Sequence, residues 1–81
     1  MSLQNAGFKI YPNPAKHSVT VETGEYTVER LTFTDLTGRV IFTKEQPEKV
    51  ELIDVSNIND GIYMINIQTK STFVSTRFIK N

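Results

Sequence analysis

Apolar residues recur at every second position throughout this chain, in short runs separated by Gly, Pro, Asn and Asp. Side chains alternate faces along a strand with period 2 and return along a helix with period 3.6. The pattern therefore leaves strands as the regular element and offers no amphipathic helix. Phe8–Tyr11 reads as a first strand, stopped by Pro12. His17–Glu22 follows with Val19 and Val21 inward, then Val28–Thr34 with Leu31 and Phe33 inward. Arg39–Lys44 places Val40 and Phe42 inward, and Lys49–Val55 is led by Val50 and Leu52. Gly61–Thr69 turns Tyr63, Ile65 and Ile67 to one face, and Phe73–Lys80 closes the chain. Strands spaced roughly ten residues apart predict an all-β fold, a small antiparallel, immunoglobulin-like β-sandwich of about seven short strands. Ser, Thr and Asn at the alternate positions supply a hydrated outer face.

The breaks between runs have their own chemistry. Pro12 and Pro14 bracket Asn13. Proline lacks an N–H and holds the preceding residue extended, so this segment reads as a stiff corner between the first two strands. In Asp35-Leu36-Thr37-Gly38-Arg39 the Asp35 carboxylate can accept from backbone N–H groups just ahead, and Gly38 can supply positive φ. That combination predicts a tight hairpin with a bulge at the glycine. Asn57-Ile58-Asn59-Asp60-Gly61 reads as a second polar turn.

An 81-residue chain allows one small domain with a marginal core. It has no cysteine, so it has neither a disulfide nor a thiolate metal site. His17 is the single histidine, too few for a zinc site. Nine basic residues balance nine acidic ones, which disfavours a nucleic-acid surface. The distribution is uneven. All nine acids precede Gly61, while Lys70, Arg77 and Lys80 are the only charges from Gly61 to Asn81. No apolar run approaches the roughly 20 residues of a membrane helix, so no membrane insertion is expected. The start lacks the basic and apolar regions of a signal peptide. Met1-Ser2-Leu3 reads as a cloning remnant, residues 1–7 as that remnant with upstream linker, and residues 8–81 as the domain.

Candidate chemistry is thin. Asn57, Asn59 and Asp60 carry oxygen ligands but lack the spacing of a calcium loop, and a turn explains them. Nothing but closeness in sequence pairs Asp54 with Asp60. Ser18, adjacent to His17 on a strand, points to the opposite face and is a poor nucleophile partner. Tyr63 falls on the inward register, its hydroxyl expected to reach a rim partner. Tyr11, Tyr26 and Tyr63 are the tyrosines available for a sugar platform, but only Tyr26, beside a turn, is expected to be an exposed ring, and one ring does not make a carbohydrate site. No catalytic, cofactor-binding or metal-binding residue is assigned, and the residues reach a binding or structural module rather than an enzyme.

Four motifs occur in a fixed order: Tyr11-Pro12-Asn13-Pro14-Ala15, Asp35-Leu36-Thr37-Gly38-Arg39-Val40, Gly61-Ile62-Tyr63 and Arg77-Phe78-Ile79-Lys80. In this order and spacing, from about residue 8 to residue 80, the chain resembles the type A C-terminal sorting domain of the type IX (Por) secretion system. The resemblance implies a folded tail of a longer exported protein. Such a tail passes through the periplasm, is recognised by the outer-membrane translocon, and is removed by a sortase-like protease at the cell surface. The cargo is covalently fused upstream and ends at the cell surface or secreted. Cleavage in the family falls upstream of the folded domain. The closing hairpin is expected to carry recognition, through Gly61, Tyr63, Lys70, Arg77 and Lys80 and the open edge of the last strand. Pro12, Asn13, Pro14, Asp35, Gly38 and Arg39 are expected to be structural. Two departures stand out: Thr69-Lys70-Ser71-Thr72 replaces the usual glycine-containing turn, and Arg77 stands where lysine is common. A surface adhesion or carbohydrate-binding sandwich is the alternative reading.

Overall fold

The computed structural model describes residues 8–81, so the expected linker and cleavage region at 1–7 lie outside the described residues. The strands are β1 (Lys9–Tyr11), β2 (Ser18–Glu22), β3 (Val28–Asp35), β4 (Val40–Glu45), β5 (Val50–Asp54), β6 (Gly61–Thr69) and β7 (Phe73–Lys80). They form two antiparallel sheets, β1-β2-β5 and β4-β3-β6-β7. Each sheet turns one apolar face to the other, as the alternation requires. Val19 and Val21 come from one sheet, and Leu31, Phe33, Ile65, Ile67 and Phe78 from the other; all are buried. Phe78 lies between Phe33 and Tyr63, with ring centroids 5.3 and 5.8 Å away.

Two inward assignments fail, each for a reason of register. β4 pairs with β3 as Phe33↔Phe42 and then Thr34↔Val40, leaving Ile41 as an extra residue. This bulge shifts the alternation by one, so Ile41 and Phe42 both pack on the core while Val40 is 58% exposed. The β5 sequence offers two phases, Val50 and Leu52 or Ile53 and Val55. Pairing with β2 sets Ile53 opposite buried Val19, which selects the second. Ile53 and Val55 are buried, and Val50 and Leu52 stand on the outer face.

The Asp35–Arg39 hairpin forms as its residues dictate. Gly38 N–H donates to the Asp35 carbonyl at 3.0 Å, Asp35 N–H donates to the Arg39 carbonyl at 3.0 Å, and Gly38 has φ 93°. This is a three-residue loop with a left-handed glycine bulge. Asp35 Oδ1 accepts from Thr37 Oγ1 at 2.6 Å and from the N–H groups of Thr37 and Arg39 at 2.9 and 3.0 Å. The Thr37 hydroxyl bond foremost, with these backbone donors and the Arg39 guanidinium, holds the carboxyl below its ordinary value despite some desolvation.

Candidate functional site

The closing hairpin is built by unbroken β6–β7 pairing from Gly61↔Lys80 to Gln68↔Phe73. Its tip contains no glycine, and Thr69 takes over. The Thr69 hydroxyl accepts from Thr72 N–H at 3.0 Å and Ser71 N–H at 3.3 Å, while Thr69 N–H donates to the Thr72 carbonyl at 2.9 Å. A threonine side chain bonding its own turn stabilises a loop that glycine would otherwise make by conformational freedom.

Along β7 the alternation sends Val74, Thr76, Phe78 and Lys80 towards the core side and Phe73, Ser75, Arg77 and Ile79 outward. The three cations of the hairpin therefore do not share a face. Arg77 is exposed on the outer face and has no ion-pair partner among the described residues. Lys70 sits at the tip, beside a hollow of about 430 Å³ that Glu25, Tyr26 and Glu29 also line. Lys80 is on the inner side, its side chain only 9% exposed; its Nζ lies 3.5 Å from Asp60 Oδ1 and donates to the Ile58 carbonyl at 3.2 Å. The expectation that Lys80 offers charge to a partner gives way to an anchoring role. It ties the last strand to the β5–β6 connection. Tyr63 is likewise buried, its hydroxyl donating to the Asn59 carbonyl at 2.6 Å, the rim partner its register required. Gly61 opens β6 at φ 155°.

The outer edge of β7 is partly closed, against the expectation of an open edge. Asn13 Oδ1 accepts from Ile79 N–H at 2.9 Å, and Asn13 Nδ2 donates to the Arg77 carbonyl at 3.5 Å. Ala15 N–H then donates to the Ile79 carbonyl at 2.8 Å, and Asn81 N–H donates to the Ala15 carbonyl at 2.9 Å. Residues 13–15 are thus a strap laid parallel to the end of β7. Pro12 and Pro14 frame it, and both prolines follow cis peptide bonds. Ala15, the last residue of the strap, is fully buried. Sequence reasoning found the corner but not its partner. The contact spans 64 to 66 residues of chain, and no local signal reports it.

The remaining candidates are dispersed. Asp54 Oδ1 accepts from Ser56 Oγ and N–H, which, helped by His17, holds its carboxyl low. Asp60 faces Lys80, so the two carboxylates have separate partners. Among the described residues no group of three His, Cys, Asp or Glu could hold a metal ion. Tyr26 is stacked on Phe8 at 4.8 Å, and Tyr11 on the outer face of the β1-β2-β5 sheet donates its hydroxyl to Glu22. That bond, which fills the carboxylate's partner position with the phenol proton, raises the Tyr11 hydroxyl's pKa. Tyr26 is not the only exposed ring, since Tyr11 and Phe73 are more exposed, and no aromatic ring pair joins any two of the three.

A search of curated proteins finds no match. Among solved structures the chain is similar to PorZ, an essential bacterial surface component of the type-IX secretion system of Porphyromonas gingivalis. The TM-score is 0.73 at 19% identity, over 96% of this chain and 12% of that one. That likeness shows a shared fold, and this chain spans only a small part of the other protein. The model of the secretion system C-terminal sorting domain matches residues 9–81, from the first residue of β1 through the strap, the Asp35 hairpin and the closing strand. The chain belongs to the family of C-terminal sorting domains of the type IX (Por) secretion system.

Proposed function

We propose that this domain is the export tag of a longer cargo protein, read in its folded form by the outer-membrane translocon after passage through the periplasm. A sortase-like protease then removes it at the cell surface, upstream of residue 8. The observation that carries this reading is the family match across residues 9–81. Within the tag, Arg77 and Lys70 are the charges presented to the machinery, since both are exposed on the acid-free closing hairpin. Gly61, Tyr63 and Lys80 serve recognition indirectly, by fixing the hairpin against the core. Pro12, Asn13, Pro14, Asp35, Gly38 and Arg39 maintain the strap and the opposite hairpin.

The test is a reporter fused ahead of this domain in a cell with a working type IX system. The wild-type fusion reaches the cell surface, and Arg77→Glu leaves it in the periplasm with the domain still folded. A wild-type fusion that stays periplasmic refutes the sorting role for this chain. Export of Arg77→Glu at the wild-type level refutes the role given to that charge. Lys80→Glu is a folding control rather than a charge probe. It would set a second acid against Asp60 at a nearly buried position, and like charges there destabilise. Deleting residues 72–81 is equally uninformative about recognition, because it removes Phe78 from the core.

A further inference from the structure

A sheet edge exposes unpaired N–H and C=O groups, and proteins blunt such edges with proline, charge, bulges or covering segments. The edges here belong to β1, β5, β4 and β7. β1 is three residues long and stops at Pro12. β4 carries the Ile41 bulge and ends in Lys44-Glu45. β5 carries Glu51 and Asp54, and Glu51 faces Lys44 of β4 at 3.8 Å. On β7 the strap covers Arg77 to Asn81. Each edge is defended except the first half of β7.

Ile79 uses both its N–H and its C=O outward, towards the strap. Antiparallel pairing alternates this direction, so Ser75 and Phe73 also aim their backbone groups outward. Neither has a backbone partner there among the described residues. The stretch Thr72-Phe73-Val74-Ser75-Thr76 has no charge, proline or glycine, and four of its five residues are strand formers. Phe73 is 63% exposed. Lys70 and Arg77 bracket it, in a segment without a single acid.

We propose that the Phe73–Thr76 edge of β7 is a strand-addition site for a short extended segment of a partner protein that carries carboxylates. This rests on the export reading, with the partner on the outer-membrane side. Main-chain bonds to Phe73 and Ser75 supply affinity, the exposed Phe73 ring takes an apolar side chain, and Arg77 and Lys70 take the acids. The strap limits the added strand to a few residues. It also disfavours a second copy of this chain. Antiparallel pairing about Ser75 would press each copy's strap, which lies on the same edge, into the other's hairpin tip.

Ser75→Pro tests the site. Its N–H faces away from β6, so proline removes the outward donor and leaves the β6 ladder intact. The surface-to-periplasm ratio of the fused reporter should fall to that of an untagged reporter. The variant's amide spectrum should remain that of the native fold, with melting lowered only by the loss of the Ser75 hydroxyl's 2.8 Å bond to Asn66 Oδ1 on β6. Normal export of a folded Ser75→Pro domain, while the wild type is exported and Arg77→Glu is not, overturns this site and leaves the sorting role standing. If proline disturbs the fold, Ser75→Asp and Ser75→Lys decide, since both keep the backbone. Asp should reduce export and Lys should not, and equal export of the two overturns an acidic partner. A purified domain that dimerises, and loses the dimer on Ser75→Asp, would also overturn the proposal in favour of self-pairing.

Discussion

Replacing Asn13 by alanine removes the side chain that substitutes for a neighbouring strand along the end of β7. The bond from Ile79 N–H is 2.9 Å long and well formed, whereas the one to the Arg77 carbonyl is 3.5 Å and contributes little. A single intramolecular hydrogen bond contributes a net ~1 kcal/mol, and water can reach this exposed residue to replace part of it. For a domain of this size that corresponds to a melting temperature lower by about 4–8 °C. The local consequence should be sharper than the global one. The Ile79 amide points away from β6 and loses its acceptor, so its hydrogen exchange should accelerate relative to Phe78, whose amide faces the β6 ladder. Asn13→Asp retains an acceptor for Ile79 but turns a carboxylate oxygen towards the Arg77 carbonyl. It should therefore protect the Ile79 amide better than alanine while still lowering the melting temperature. Calorimetry and residue-resolved exchange read both effects. If Asn13→Ala leaves Ile79 protection unchanged, the strap does not hold the strand and the Pro-Asn-Pro segment is only a corner.

The β5 register predicts that Leu52→Ala is within about 0.5 kcal/mol of neutral in urea unfolding, whereas Ile53→Ala costs about 2–4 kcal/mol; the reverse order would restore the other phase. Gly38→Ala meets no atom within 4 Å, so its cost comes from φ 93° alone, about 1 kcal/mol. Gly38→Asn should cost less, because asparagine tolerates that region. The Asp35 carboxyl is held low in the folded state, so its contribution is present above the ordinary carboxylate pKa and is lost as pH falls through the folded value. The acid limb of the melting curve, below about pH 4, should be shallower in Asp35→Asn, and an unchanged limb would remove Asp35 from the account.

The alternation by itself determined that the chain is all-β, where its strands lie and that Val19, Val21, Leu31, Phe33, Tyr63, Ile65 and Ile67 are buried. Period 2 is a local property and holds until a bulge interrupts it, as between Val28 and Arg30 of β3, where Val28 is buried out of phase with Leu31. The turn at Asp35 was equally legible, because an Asx-turn and a left-handed glycine are completed within five residues. The four motifs in order pointed to the sorting family. Tertiary structure decided what happens at the edges. Val40 turned outward because a bulge added Ile41, and Leu52 because the partner β2, rather than the β5 sequence, chose between two phases. Lys80 went inward because its position on β7 is even with Phe78, and Asp60 was there to receive it. The strap from residues 13–15 to β7 joins the two ends of the domain. Only the closure of the sandwich brings those ends together, so half of the last strand's edge is covered and the other half is left open.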